Sequence, residues 1–377
     1  MLSESACERR YLSTIAKSGS DLEHGHFAAR AFPDLLICPF EIGPCLSMYD
    51  LFMFCSYMAI DCVVLIPTLY VNRFEYVYIM TDAQLMRLLG LKVAKDRKGI
   101  APNKPLLVLA IMDLVEAGLV GEDGLVHKDA QLNLRFRSYS PICAPRRGNA
   151  IDLNLPFRHL ASDGIYTHVG DEERVVRLDP VLLARFMDPR FRQEARRRIV
   201  ATYFPPDEQV ALYAAIGMRE PSSDELAAVR QDQAAYKAQL HRGRDARFKV
   251  SVISGYHFTC ALTGYRLTAS KSTYVPLEAA HIHAHSQRGP DSPDNGLALT
   301  PTAHDLFDAG LWTIDDNLRI QVAKSDIAES ILPGGSHFKL ADLHGRPLSF
   351  DPKATLRPDP THLAWHRHHH RKGQATT

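Results

Sequence analysis

The chain has 377 residues, 46% of them hydrophobic and 23% charged, with a formal net charge of +1. This composition excludes a chain too polar to build a core and leaves room for two or more domains. The near-neutral balance decides nothing about a polyanionic partner. Five of the seven cysteines (Cys7, Cys38, Cys45, Cys55 and Cys62) precede residue 80, and only Cys143 and Cys260 follow. They suggest no disulfide framework, which fits a cytoplasmic compartment.

In chain order, the first segment is unlike the rest. Leu51 to Val71 is nearly all apolar and broken by Asp61 and Pro67. It approaches the ~20 apolar residues of a membrane span, but Asp61 near its middle argues against one, and it has neither a helix period nor strand alternation. Met80 opens MTDAQLMRLLGLKV, which reads as a start into an amphipathic helix. Residues 1–79 are therefore read as an uncertain segment following a start assigned too early. A membrane anchor and an extra domain are the other readings.

Next, Lys104 to Gly118 (KPLLVLAIMDLVEAG) predicts a buried helix, with Leu107, Ile111, Leu114 and Val115 on one face. Pro102 and Pro105 bound its start and Gly118 its end. Leu125 to Leu134 predicts a second helix or a wing. Ser138 to Gly148, rich in turn formers and ending RRG, reads as a loop. Arg185, Arg190, Arg192, Arg196, Arg197 and Arg198 crowd the helix-like stretch that follows. They form either a solvated face or a phosphate-contacting one. Residues 206–245 read as a helical linker, with Glu225 to Leu240 a polar, alanine-rich spacer. Arg242, Arg244, Arg247 and Lys249 then precede the last region.

That region carries the chemistry. Val275 to Ala280 predicts a short strand delivering His281, and Gly289 to Asn295 is a dense turn cluster. Leu297 to Leu299 can pair back as a second strand. Thr300 or Thr302 would cap a short helix bearing His304 and Asp308, and Gly310 suits its exit. Phosphodiester cleavage needs an activated water and charge stabilisation at phosphorus. A neutral imidazole, here His281, can take the water's proton near neutral pH. His304 can hold a divalent metal. Asn295 would fix the loop and orient the His281 ring through a hydrogen bond.

These residues resemble the HNH nuclease family of ββα-metal folds, in the branch reading AAHI, NGL and HxxFDxG. Cys260, Ala261, Leu262, Thr263 and Gly264 match the opening of the same branch. The resemblance covers about residues 246–350. It implies a metal-dependent DNA endonuclease using Mg or Mn and leaving 5′-phosphate and 3′-hydroxyl ends. Many members place an acidic metal ligand directly before the first histidine, and here that position is Ala280. Asp308 is taken as the second ligand; Glu278 and His283 are the other candidates. No CxxC pair flanks the motif, so no structural zinc is expected. His283 and His285 are placed on a DNA-facing rim. The tail at 351–377, with Trp365, His366, Arg367, His368, His369 and His370, resembles the closing helix of related nucleases.

The middle of the chain, about residues 80–205, resembles the sulfur-binding domain of phosphorothioate-dependent type IV restriction endonucleases, through PNKPLLVLAIMDLVEAG and LPFRHLASDGIY. The resemblance implies that Leu155 and Pro156 line a sulfur pocket with His159 at its edge. Lys104, Arg146, Arg147 and Arg158 would hold flanking phosphates, and Asn103 would reach base edges or sugar. Leu155 replaces the usual tyrosine and Asn103 the usual histidine. The fold expected is α+β: a mainly helical DNA-binding domain followed by a ββα-metal nuclease domain. The function expected is modification-dependent cleavage of DNA, by a homodimer if both strands are cut. Two other readings are an HNH DNase without modification preference and a DNA-binding sensor with an inactive HNH domain.

Overall fold

The computed structural model describes residues 82–147, 153–171, 173–267, 274–323, 329–330 and 338–374. The expectations placed on residues 1–79, including the apolar stretch at 51–71, lie outside the described residues.

Helix α1 (Ala83–Leu89) is capped by Asp82, whose carboxylate accepts the Gln84 and Leu85 N–H groups. A two-stranded turn, β1 (Lys95–Asp96) with β2 (Gly99–Ile100), leads into α2 (Asn103–Glu116). Every residue of α2 from Pro105 to Met112 is buried. It is the buried helix the sequence predicts, covered on more sides than the single face of Leu107, Ile111, Leu114 and Val115. Strand β3 (Leu125–His127) then precedes α3 (Ala130–Arg147), so Leu125 to Leu134 holds the wing and the start of a helix together.

The expected loop from Ser138 is instead the second half of α3, with Pro141 and Pro145 inside it. An interior proline costs a helix about 3 kcal/mol. Tyr139, Ile142 and Cys143 are buried on that stretch, and each large apolar side chain returns about 1.5–3 kcal/mol on burial. The two effects are of the same order, so packing can hold the segment helical.

Helix α4 (Asn154–His159), a 3-10 turn (Leu160–Asp163) and Gly164 at φ 72° feed β4 (Tyr166–Val169). Strand β5 (Val175–Leu178) lies between β3 and β4, antiparallel to both. Two Asp-Pro steps then start α5 (Pro180–Met187) and α6 (Pro189–Tyr203): the Asp179 and Asp188 side chains accept from backbone N–H groups, and each proline sits where no N–H is needed.

Helix α7 (Pro206–Ala215) is buried through Val210, Ala211, Leu212 and Tyr213. Helix α8 (Asp224–Gln231) follows, and α9 (Gln233–Gly255) packs along α7. The segment read as a linker from sequence therefore contributes core residues. On α9, Ala246 belongs to the first hydrophobic cluster, and Phe248, Val252 and Ile253 belong to a second.

The second cluster encloses the candidate site. Strand β6 (Glu278–His281) pairs antiparallel with β7 (Gly296–Leu299), His281 opposite Gly296. Ala261 N–H bonds to Ala298 O at 2.8 Å, setting the Cys260–Leu262 segment against β7. Helix α10 (Pro301–Asp308) follows; Thr300 makes no side-chain cap, and Thr302 lies inside the helix. Gly310 ends the turn at φ 70°. Strands β8 (Trp312–Ile314) and β9 (Ile320–Val322) pair, and α11 (Pro360–Gln374) packs against β8. The whole is a mixed helix-and-strand fold with small sheets. Among the described residues, no helix is long and apolar enough to cross a membrane.

Candidate active site

The β6–β7 hairpin, α10 and α11 surround a cleft of about 380 Å³. Its lining includes His281, His285, His304, Asp308, His369 and His370. His281 is the last residue of β6. Its ring stacks on Phe248 at 3.9 Å with an interplanar angle of 6°, and its Nε2 lies 3.1 Å from Asp291 Oδ1. Burial pushes the His281 pKa below the usual histidine range, against the opposing pull of Asp291. The neutral form, the one able to accept a proton, is thereby favoured.

His304 lies on α10, one turn in. Its Nδ1 is 2.8 Å from Glu278 Oε2 and its Nε2 is 3.4 Å from Asp308 Oδ2. Both ring nitrogens thus face carboxylates. Among the described residues, no group of three or more His, Cys, Asp or Glu side chains is gathered as a metal cage. A magnesium-like ion does not require one. Such an ion keeps several waters and takes one or two carboxylates plus substrate phosphate oxygens. His304 Nε2 with Asp308 fits that type of site, and Glu278 accepts at the opposite ring nitrogen, where it would orient the ring. His283, the third ligand candidate, is elsewhere: its ring stacks on Trp365 at 4.0 Å.

Asn295 is fully buried. Its Oδ1 accepts the His283 N–H at 2.8 Å, and its Nδ2 donates to His283 O at 3.0 Å and to Pro290 O at 2.8 Å. The side chain therefore clips the two ends of the turn cluster together. It does not bond the His281 ring, contrary to expectation, because its amide is consumed by these backbone groups. The ring's polar partner is Asp291, which sequence reasoning left unremarked within the turn cluster. Phe248, thirty-three positions before His281, carries no local signal at all. Of the two residues expected on the rim, His285 lines the cleft and His283 is turned into the Trp365 stack.

Helix α11 closes the other side. His366 is buried, stacks on Phe307 at 3.8 Å, and pairs with Thr313 Oγ1 at 2.8 Å. Burial drives its pKa down to about 3. It is thus a neutral histidine at the buried edge of the cleft, which His369 and His370 also line.

The residues expected to hold DNA in the middle region are placed differently. Lys104 Nζ lies 2.5 Å from Asp163 Oδ2, and that carboxylate is 2% exposed. Arg146 forms a two-pronged pair with Glu208 at 2.7 and 2.8 Å and donates to Lys98 O and Ile100 O. Neither cation is free for a phosphate, because a half-buried charge needs a partner within the protein. Leu155 is 59% exposed whereas Pro156 is buried, so the two do not line one pocket. Arg158 is exposed and pairs with Glu173 at 2.7 Å. His159 is exposed, Asn103 is half-buried at the start of α2, and Arg147 ends α3. In the arginine-rich stretch, Arg192 and Arg196 point into the core instead of forming a phosphate-facing surface.

Residues 260–315 match the family model of the HNH endonucleases. The chain thus carries an HNH nuclease domain, built around the hairpin and helix that bear His281 and His304. No curated protein matches the chain. Among solved structures, the modification-dependent TagI restriction endonuclease aligns with 25% identity over 33% of this chain and 37% of that chain, at a TM-score of 0.25. The alignment spans little more than a third of that enzyme.

Proposed function

We propose that the chain is a metal-dependent DNA endonuclease whose helical part directs it to modified DNA, with phosphorothioate as the modification. One observation carries the nuclease reading: within the HNH-matching segment, a neutral-leaning His281 and a carboxylate-flanked His304 line the same cleft. His281 takes the proton of a water that attacks phosphorus, and the 3′-oxygen departs with the P–O bond. His304 through Nε2 and Asp308 would hold a divalent ion, with Glu278 accepting the Nδ1–H to orient the ring, and that ion would supply charge stabilisation at the phosphate. Asn295 keeps the turn between the two strands in shape. One such site serves one strand, so a double-strand cut needs two copies or two nicks.

The sulfur reading rests on the exposed Leu155, one helical turn from the exposed His159 and from Arg158, whose guanidinium pairs with Glu173 at the surface. Sulfur is larger and more weakly hydrated than oxygen, so an apolar surface beside a cation favours it. The second reading is a DNase without modification preference. The internal pairing of Lys104 and Arg146 and the burial of Pro156 favour it.

Matched duplexes with and without a phosphorothioate, incubated with Mg or Mn, separate the two. Cleavage of only the sulfur-bearing duplex supports the first reading, and equal cleavage of both supports the second. His281→Ala is expected to lose on the order of 10²- to 10⁴-fold in rate. An unchanged rate would remove His281 from the chemistry.

A further inference from the structure

The imidazole of His281 is held from two directions by residues outside the histidine–asparagine–histidine set. Beneath it, the Phe248 ring of α9 lies nearly parallel at 3.9 Å. That ring has room because the strand partner of His281 is Gly296: a Cβ there would run into Val252 Cγ2 and stand 2.9 Å from Phe248 Cζ. At its edge, Nε2 meets Asp291 Oδ1 at 3.1 Å. Asp291 is itself largely covered, with a side-chain exposure of 16%. A carboxylate accepts and cannot donate, so it selects the tautomer protonated at Nε2. The lone pair then belongs to Nδ1.

We propose that Asp291 is the positioning residue for His281: it fixes the Nε2–H tautomer, leaves Nδ1 as the atom that takes the water's proton, and stabilises the imidazolium that forms, while Phe248 fixes the ring plane. This rests on the reading of His281 as the general base. In the step, water gives its proton to Nδ1 and its oxygen pair to phosphorus. The bond from phosphorus to the 3′-oxygen breaks, and that oxygen leaves with its pair and is protonated by solvent. Asp291 holds the Nε2 proton throughout and does not itself become protonated. The other charged or titratable groups acting on the ring are His285, whose Nε2 is 3.8 Å from Asp291 Oδ2, and Asp245 on α9. His285 opposes protonation of His281, while Asp245 and Asp291 favour it.

The test compares Asp291→Asn and His281→Ala with the parent on one cleavable duplex across pH. Asp291→Asn is expected to lose on the order of 10²-fold in kcat with KM within about twofold, because orientation and not DNA binding is lost. Removing the carboxylate lowers the His281 pKa, so the acid limb of the kcat profile moves to lower pH. Ring-nitrogen NMR of the intact parent, with the His281 signal assigned by its loss in His281→Ala, is expected to show the Nε2–H tautomer at neutral pH, whether or not Asp291→Asn folds. Full kcat with an unmoved limb, or an Nδ1–H ring in the parent, would overturn the proposal. An active His281→Ala would instead overturn the general-base reading beneath it.

Discussion

Arg196 is 2% exposed. It reaches Asp113 Oδ1 at 2.5 Å and Glu116 Oε2 at 2.7 Å, and Tyr139 also bonds to Asp113. Burial pushes the Asp113 carboxyl up to about 6, with Arg196 and Arg135 pulling it down. Removing one partner of a buried pair leaves the other charge uncompensated, at about 3–5 kcal/mol. Arg196→Met should therefore destabilise the protein by about that amount in denaturant titrations. The pH dependence has a definite sign. Without Arg196 the Asp113 pKa rises further, so folding retains a proton that the unfolded chain has released. The deficit should grow as pH rises from 5 to 8. A deficit that stays flat or shrinks over that range would show that Asp113 does not depend on Arg196. At the same scale, the roles given to Lys104 and Arg146 fail for a reason sequence cannot display. Their carboxylate partners, Asp163 and Glu208, lie 59 and 62 positions away.

Among the elements, α9 is the one whose placement matters most for the site, since it presents Phe248 beneath His281. It passes α7 at Gly243, where a Cβ would run into Ala211 O and stand 3.0 Å from Ala211 C. The backbone of one helix thus lies against the other, and only glycine permits the approach. Gly243→Ala normally favours a helix by roughly 0.8–1 kcal/mol through propensity. Here the clash is with backbone, which cannot swing aside, so a net loss of about 1–3 kcal/mol is expected. Thermal melting measures it, and a stabilised variant would mean that α9 does not pack there. The alanine-rich run before Gly243 predicts a spacer because its outer face is polar. The face that decides its position carries Tyr236, Gln239 and Leu240 ahead of Gly243, while Ala234, Ala235 and Ala238 are exposed.

For the molecule as a whole, α9 contributes to two hydrophobic clusters, and α7 is buried in the first. A free linker at 206–245 would be cut early by protease, whereas packed helical backbone resists. Limited proteolysis should therefore spare Gln233–Gly255. Early cleavage within that helix would instead favour a spacer between separate parts. The histidines, asparagine and turn cluster of the nuclease segment were legible because a strand end, a tight loop and a helix lie within a few dozen residues, where local patterning sets their order. The pairing of His281 with Gly296 follows from the same short hairpin. Tertiary structure decided what the pattern could not hold. Phe248 reaches the His281 ring and α11 the cleft from distant sequence, Asn295 is spent on the loop backbone, and Asp291 takes the ring. Local spacing fixes which side chains lie near one another along a hairpin. Whether a buried polar group bonds a ring, a carbonyl or a remote carboxylate depends on which partners packing leaves within reach.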